Sequence, residues 1–183
     1  MRTLVSILAI LAGPTWAGDF RGSDFGESCA EVKAQELSIG SKFETTFNKD
    51  PESLHFRGNA FGREVVFTNL CPRGLLSGGS DAFRIEPLQA ARESYAKIFR
   101  EIVQTYGAPF DDNSPGRKSP YPAMPDPAEF NYMTSWKTPR VFITIGIWKA
   151  ESEEPDTWRV IVSYMDPAEQ AKSKTSAEPA RER

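Results

Sequence analysis

The 183-residue sequence predicts an α+β fold, an antiparallel meander sheet of about five to seven strands with two helices packed on one face. Three observations predict it. Residues 88–106 carry one broad apolar stripe at spacings of three and four, the mark of a helix that must cover something. Residues 41–86 alternate apolar and polar in short runs broken by turn residues, as half-buried strands do. Two further alternating runs, 140–149 and 157–165, close the ordered part.

Ahead of these elements, Met1 and the lone charge Arg2 precede an apolar stretch from Leu4 to Ala12 and then Gly13-Pro14-Thr15-Trp16-Ala17. That is the layout of a secretory signal peptide over residues 1–17, with a helix-breaking pair exposing small residues to the peptidase. The apolar run is far short of the roughly 20 residues a membrane span needs. No cysteine follows for lipid attachment. A periplasmic or secreted mature chain from Gly18 is expected, without a stable membrane anchor. Residues 18–166 read as a single α+β domain and 167–183 as a disordered tail, because everything after Asp166 is polar. Loss of Arg2 leaves 21 basic and 25 acidic residues, a net charge of −4, which disfavours nucleic acid as a partner. The two cysteines, Cys29 and Cys71, are expected to form a disulfide in an oxidising compartment, since they make neither a C-x-x-C pair nor a complete metal site.

The first helix is signalled by Ser28 followed by Glu31, a capping box, with Cys29, Val32 and Leu37 as its apolar stripe and Gly40 as its stop. In the meander, Phe43, Thr45 and Phe47 alternate, as do Leu54 and Phe56, Val65 and Phe67, Phe83 and Ile85. Asp50-Pro51, Gly58-Asn59, Pro72 with Gly74, and Gly78-Gly79 read as the intervening turns. Helix two runs from about Leu88 to Tyr106, with Pro87 at its start, Gly107 as its cap and Pro109 preventing continuation. Residues 108–131 hold six prolines and read as a long irregular loop, which is either functional or mobile. An acidic turn, 151–156, joins the last two strands.

No arrangement of reactive side chains points to a catalytic residue. His55, the only histidine, lies between Leu54 and Phe56 in a strand with no nucleophile motif in the chain, and a solvent-facing role is expected. Asp111-Asp112-Asn113-Ser114-Pro115-Gly116 has the opening of a calcium loop, yet Pro115 and Pro122 stand where two oxygen ligands are needed, so no metal is expected. The glycines between Gly74 and Ser80 lack the Lys-Ser/Thr ending of a phosphate loop. No cofactor is expected. A heptapeptide recurs, Phe20-Arg21-Gly22-Ser23-Asp24-Phe25-Gly26 and Phe56-Arg57-Gly58-Asn59-Ala60-Phe61-Gly62. It reads as two similar strand-to-turn corners, with a shared anion site for the two arginines as the alternative.

The last hairpin is the most informative stretch. Val141, Ile143, Ile145 and Ile147 share one face of its first strand, and Trp158, Val160, Val162 and Tyr164 one face of its second. Pairing Ile145 with Val160 places both sets on one side. The other side then carries Phe142, Thr144, Gly146 and Trp148 beside Arg159, Ile161 and Met165. That side is too apolar for plain solvent, so either the proline-rich loop covers it or it meets a partner. The candidate partner-binding residues are Phe142, Trp148, Arg159 and Ile161.

The run Phe20-Arg21-Gly22, Phe25-Gly26, Ser28, Glu31-Val32, the Leu54–Ile85 meander and the ending Ile102, Tyr106-Gly107-Ala108-Pro109 together resemble a family of small proteobacterial periplasmic proteins of unassigned function. The helix start from Gly26 to Val32 is also similar to the β-lactamase-inhibitor-protein-like fold, shared with the small lipoprotein of the outer-membrane β-barrel assembly machinery. The resemblance implies helices on one face of an antiparallel sheet and a free concave face for protein contacts. It carries over neither a catalytic residue nor a lipidated cysteine. The function expected is a non-catalytic envelope protein, monomer or weak dimer, that binds an envelope protein or other envelope component through the exposed sheet face. Two alternatives stand beside it: a hydrolase using Asp111, Asp112, Asp126 and Glu129, and a binder of a small apolar ligand held between loop and sheet.

Overall fold

Local signals seat the helices. In the computed structural model, which describes residues 18–45, 50–112, 132–149 and 157–177, helix α1 spans Cys29–Ser38. The expected capping box is formed: the Ser28 hydroxyl accepts from the Glu31 amide at 3.3 Å, and the Glu31 carboxylate accepts from the Ser28 amide at 3.2 Å. Its covered stripe differs from the expected one. Val32 and Glu36 are buried, whereas Leu37 is 48% exposed, because an arginine waits under the helix for the Glu36 carboxylate. A disulfide joins Cys29 in the first turn of α1 to Cys71, 42 residues away. Such a closure stabilises the fold by about 4 kcal/mol through the unfolded chain.

Helix α2 spans Leu88–Tyr106 as expected and buries Ala91, Ser94, Tyr95, Ile98 and Ile102. Each large apolar side chain buried there contributes about 2 kcal/mol, so the stripe rather than helix propensity holds α2 in place. Gly107 ends it at a φ of +81°, its amide donating to the Val103 carbonyl at 2.9 Å.

The sheet beneath has eight antiparallel strands in the order β1-β2-β3-β4-β8-β7-β6-β5. They are β1 (Lys42–Phe43), β2 (Ser53–Ala60), β3 (Arg63–Leu70), β4 (Gly78–Ile85), β5 (Asp111–Asp112), β6 (Tyr132–Lys137), β7 (Phe142–Lys149) and β8 (Trp158–Met165). The meander is thus double: β1 to β4 and β5 to β8 are each continuous, α2 carries the chain across, and β4 meets β8 at the seam. Two-residue strands form both rims, and very short edge strands are one of the ways natural sheets blunt their edges. Phe67, Phe83, Ile143, Ile145, Val160 and Val162 face the helices and form the centre of the core. The Tyr95 hydroxyl meets Thr134 Oγ1 at 2.6 Å, and the Trp136 indole donates to the Gly107 carbonyl at 2.9 Å, tying α2 to β6.

Several expectations need correction. The last hairpin pairs Ile145 with Val162 and Ile147 with Val160, not Ile145 with Val160. A slip of two residues keeps every side chain on its face, so burial alone could not choose between the registers. Gly58-Asn59 is no turn but part of β2. The β2–β3 turn is Phe61-Gly62, with φ of +51° and +69°. Gly78-Gly79 likewise opens β4. A side chain on Gly79 would meet the Phe20 ring at 2.1 Å, so this glycine is there to seat an aromatic. Strand β6 lies where no strand was expected, and Asp111–Asp112, placed in the irregular loop, pairs with it as β5. The tail expected to be disordered continues as helix α3, Pro167–Ala177. Asp166 caps it by accepting from the Ala168 amide at 2.8 Å, and Pro167 occupies the favourable first position. The signal peptide 1–17, Phe47, loop residues 113–131, the turn 151–156 and residues 178–183 lie outside the described residues.

Candidate functional site

The two sides of the sheet differ in kind. Opposite the helices, cross-strand registry sets side chains in rows. One row runs Met133, Gly146, Ile161, Ala82, Val66 across β6, β7, β8, β4 and β3. The next is hydroxylated on five strands and ends in imidazole: Ser135, Thr144, Ser163, Ser80, Thr68, His55. Beyond it, Phe142, Met165, Gly78 and Leu70 make a second apolar row. On the far side of the first row, Trp148, Arg159 and Arg84 stand side by side. A polar stripe thus lies between two apolar ones.

All four expected contact residues, Phe142, Trp148, Arg159 and Ile161, share this outer face. Phe142, Trp148 and Ile161 are half-buried and Arg159 is exposed, while Ile143, Ile145 and Ile147 on the reverse of β7 are sealed. Trp148 lies across its own strand: a Cβ on Gly146 would stand 2.4 Å from the six-membered ring of the indole. The absent side chain is what lets the indole lie down on the sheet. Phe110, just before β5, sits 6.0 Å from Phe142, ring centre to ring centre. No family model, curated protein or solved structure matches the chain.

On the helix side, the segment 18–28 straps over the sheet and builds a buried charge cluster. Arg21, at a φ of +51°, lays its guanidinium 3.7 Å above the Phe67 ring. Its Nε donates to Glu36 at 3.1 Å, its Nη1 to Asp81 at 3.2 Å, and both terminal nitrogens reach the Asn59 carbonyl. Glu36 also accepts from the Ser41 hydroxyl at 2.7 Å. Burial pushes the Asp81 carboxyl up to about 6 against the opposing pull of Arg21. Burial, reinforced by Asp81, raises the Tyr164 hydroxyl well above its ordinary range.

Over this cluster opens a pocket of about 470 Å³. Its walls are the strap at 18–21, the β2–β3 turn at 59–62 and the last turns of α2 at 101–106, with Asp81 and Tyr164 beneath. Sequence reading missed it. Arg21 was visible only in a repeat and in the resemblance, and Asp81 was not singled out. An acid on the apolar parity of β4, between Gly79 and Phe83, was the available signal.

The shared anion site is not formed: Arg57 lies on the exposed side of β2, paired with Glu44 at 3.1 Å and Glu64 at 3.2 Å, away from Arg21. Nor are the two heptapeptides similar corners. Arg21-Gly22 is itself a turn closed by a Phe20–Ser23 bridge, whereas Arg57-Gly58 lies within β2. His55 Nδ1 meets Thr68 Oγ1 at 3.0 Å as a cross-strand pair. Of the acids proposed for hydrolysis, Asp111 and Asp112 are placed through their backbone only, and Asp126 and Glu129 lie outside the described residues. Among the described residues no group of three His, Cys, Asp or Glu could hold a metal, and no helix is long and apolar enough to cross a membrane.

Proposed function

We propose that this chain is an exported, non-catalytic envelope protein that binds a folded protein partner through the outer face of its sheet. The observation that carries the reading is the half-exposed apolar surface around Trp148, Phe142 and Ile161, on the side away from α2. Six strands about 4.8 Å apart and about 27 Å long offer roughly 750 Å², close to the about 800 Å² each partner gives a standard interface. Arg159 and Arg84, adjacent across the seam beside Trp148, favour a partner with an acidic rim. The disulfide and the resemblance to periplasmic proteins with a free sheet face agree with export.

The test is capture from envelope extract by wild type, by Phe142→Ser/Trp148→Ser and by Arg159→Glu. A protein held by wild type and weakened at least about 30-fold in the double variant, with melting nearly unchanged, supports the reading. A large loss of stability in the double variant refutes it. N-terminal sequencing of the envelope protein should find Gly18 first. A second reading has its own observation, the hydroxyl row beside a flat-lying indole, which suits the hydroxyl and C–H faces of an envelope polysaccharide. Co-sedimentation with purified polysaccharide, lost on Trp148→Ser, separates the two.

A further inference from the structure

The buried cluster is short of one positive charge. Glu36 and Asp81 both turn to Arg21, so two carboxylates share one guanidinium in a region where their side chains are about 3% exposed. An uncompensated buried charge must be neutralised by a proton or by another cation. Among the described residues, Asp81 is engaged only through Oδ1, while the residue itself lines the pocket. Its second oxygen is therefore available to an occupant.

The lining says which kind. Arg21 is the one base in it, and its donors are spent on Glu36, Asp81 and the Asn59 carbonyl. Of the lining acids, Asp19 is taken by Arg140 at 2.9 Å, leaving Asp81 below and Glu101 at the rim. Between them stand Phe61, Ile102, Tyr106 and Tyr164, which suit an apolar body, and three of the four carry the aromatic rings that attract cations. The volume, about 470 Å³, lies in the range of small-molecule sites. With no cluster of three metal-binding side chains among the described residues, an organic cation fits better than a metal ion.

We propose that this pocket binds a small organic cation, an ammonium or amidinium group set against Asp81 with its apolar body between Phe61, Ile102 and Tyr106. The site is independent of the outer sheet face and stands or falls separately. Calorimetric titration of the purified protein with phenethylamine, and with 2-phenylethanol as its neutral isostere, tests it. The amine should saturate below about 10 mM and bind at least about tenfold more tightly than the alcohol. Asp81→Asn should abolish that preference. Thr105→Trp, at an exposed position on the rim, should weaken the amine about tenfold without moving the melting temperature, and it decides the matter if Asp81→Asn does not fold. Equal affinity for amine and alcohol, amine binding unchanged in Thr105→Trp, or no saturation by about 10 mM overturns the proposal.

Discussion

Phe-Arg-Gly occurs twice in this chain, and its two arginines live in opposite worlds. Arg21 has a side chain 5% exposed, stacked on Phe67 and shared by Glu36 and Asp81. Arg57, with the same neighbours in sequence and also two carboxylate partners, is 45% exposed. Equal numbers of ion pairs therefore describe very different energetics. Removing one member of a buried set strands the others without water, whereas an exposed pair merely returns its members to solvent. The copies also meet: Gly58 of the second leaves the space that Arg21 of the first occupies.

Four measurements would break or sharpen the contrast. The largest effect belongs to Arg21→Met, which should cost about 3–5 kcal/mol in chemical denaturation by stranding two buried carboxylates. Adding Glu36→Leu and Asp81→Leu should recover most of that loss. If the single variant costs nothing, the cluster is not a coupled unit.

The second effect is one of pH. Folded Asp81 titrates near 6, above its ordinary 3.8, so between those values the folded protein holds a proton that the unfolded chain has released. Its contribution to stability therefore rises as pH falls through 6 toward 4, by up to about 3 kcal/mol, and is constant below. Arg21, Glu36 and Tyr164 are the charged and titratable groups around it. Asp81→Asn should remove this slope. Carboxylates held low, such as Glu31, Asp50 and Glu169, act in the opposite sense and in a more acidic window, so the two trends are separable in a melting series.

Third, Gly58→Ala should cost about 1–3 kcal/mol, because its methyl would sit 3.0 Å from the Phe67 ring and from Ser41 Oγ and 3.4 Å from Arg21 Nη2. The smallest effect is expected for Arg57→Ala, with a melting temperature within about 2 °C of wild type. A large shift there would erase the distinction between the copies.

What the sequence disclosed follows from which signals are local. The capping box at Ser28 and Glu31, the stripe of α2 and the paired faces of β7 and β8 need only neighbours three, four or two residues away, and all three stand. The burial of Glu36 in place of Leu37 was hidden because its cause, Arg21, lies 15 residues off in sequence. Gly58 and Gly79 were taken for turns because a glycine that turns a chain and one that yields space look alike until the visiting side chain is known. Helix α3 was legible after all, in Asp166-Pro167 followed by Glu169, and was passed over because its surroundings are polar. The outer face was expected as apolar, but its banding into hydroxyl and apolar rows needed registry across six strands, which no single segment carries.

The seam between β4 and β8 sets a condition on how the molecule can be made. β8 follows the other seven described strands along the chain, yet Met165 pairs with Gly78 and sets it in the middle of the sheet. A nascent chain that has not yet reached β8 has two half-sheets tied through α2 but not strand to strand, each showing a long bare flank where β8 belongs. The sheet closes only once β8 is available, and a polypeptide threaded N-terminus first through a membrane pore would keep those flanks open until residues 158–165 have crossed.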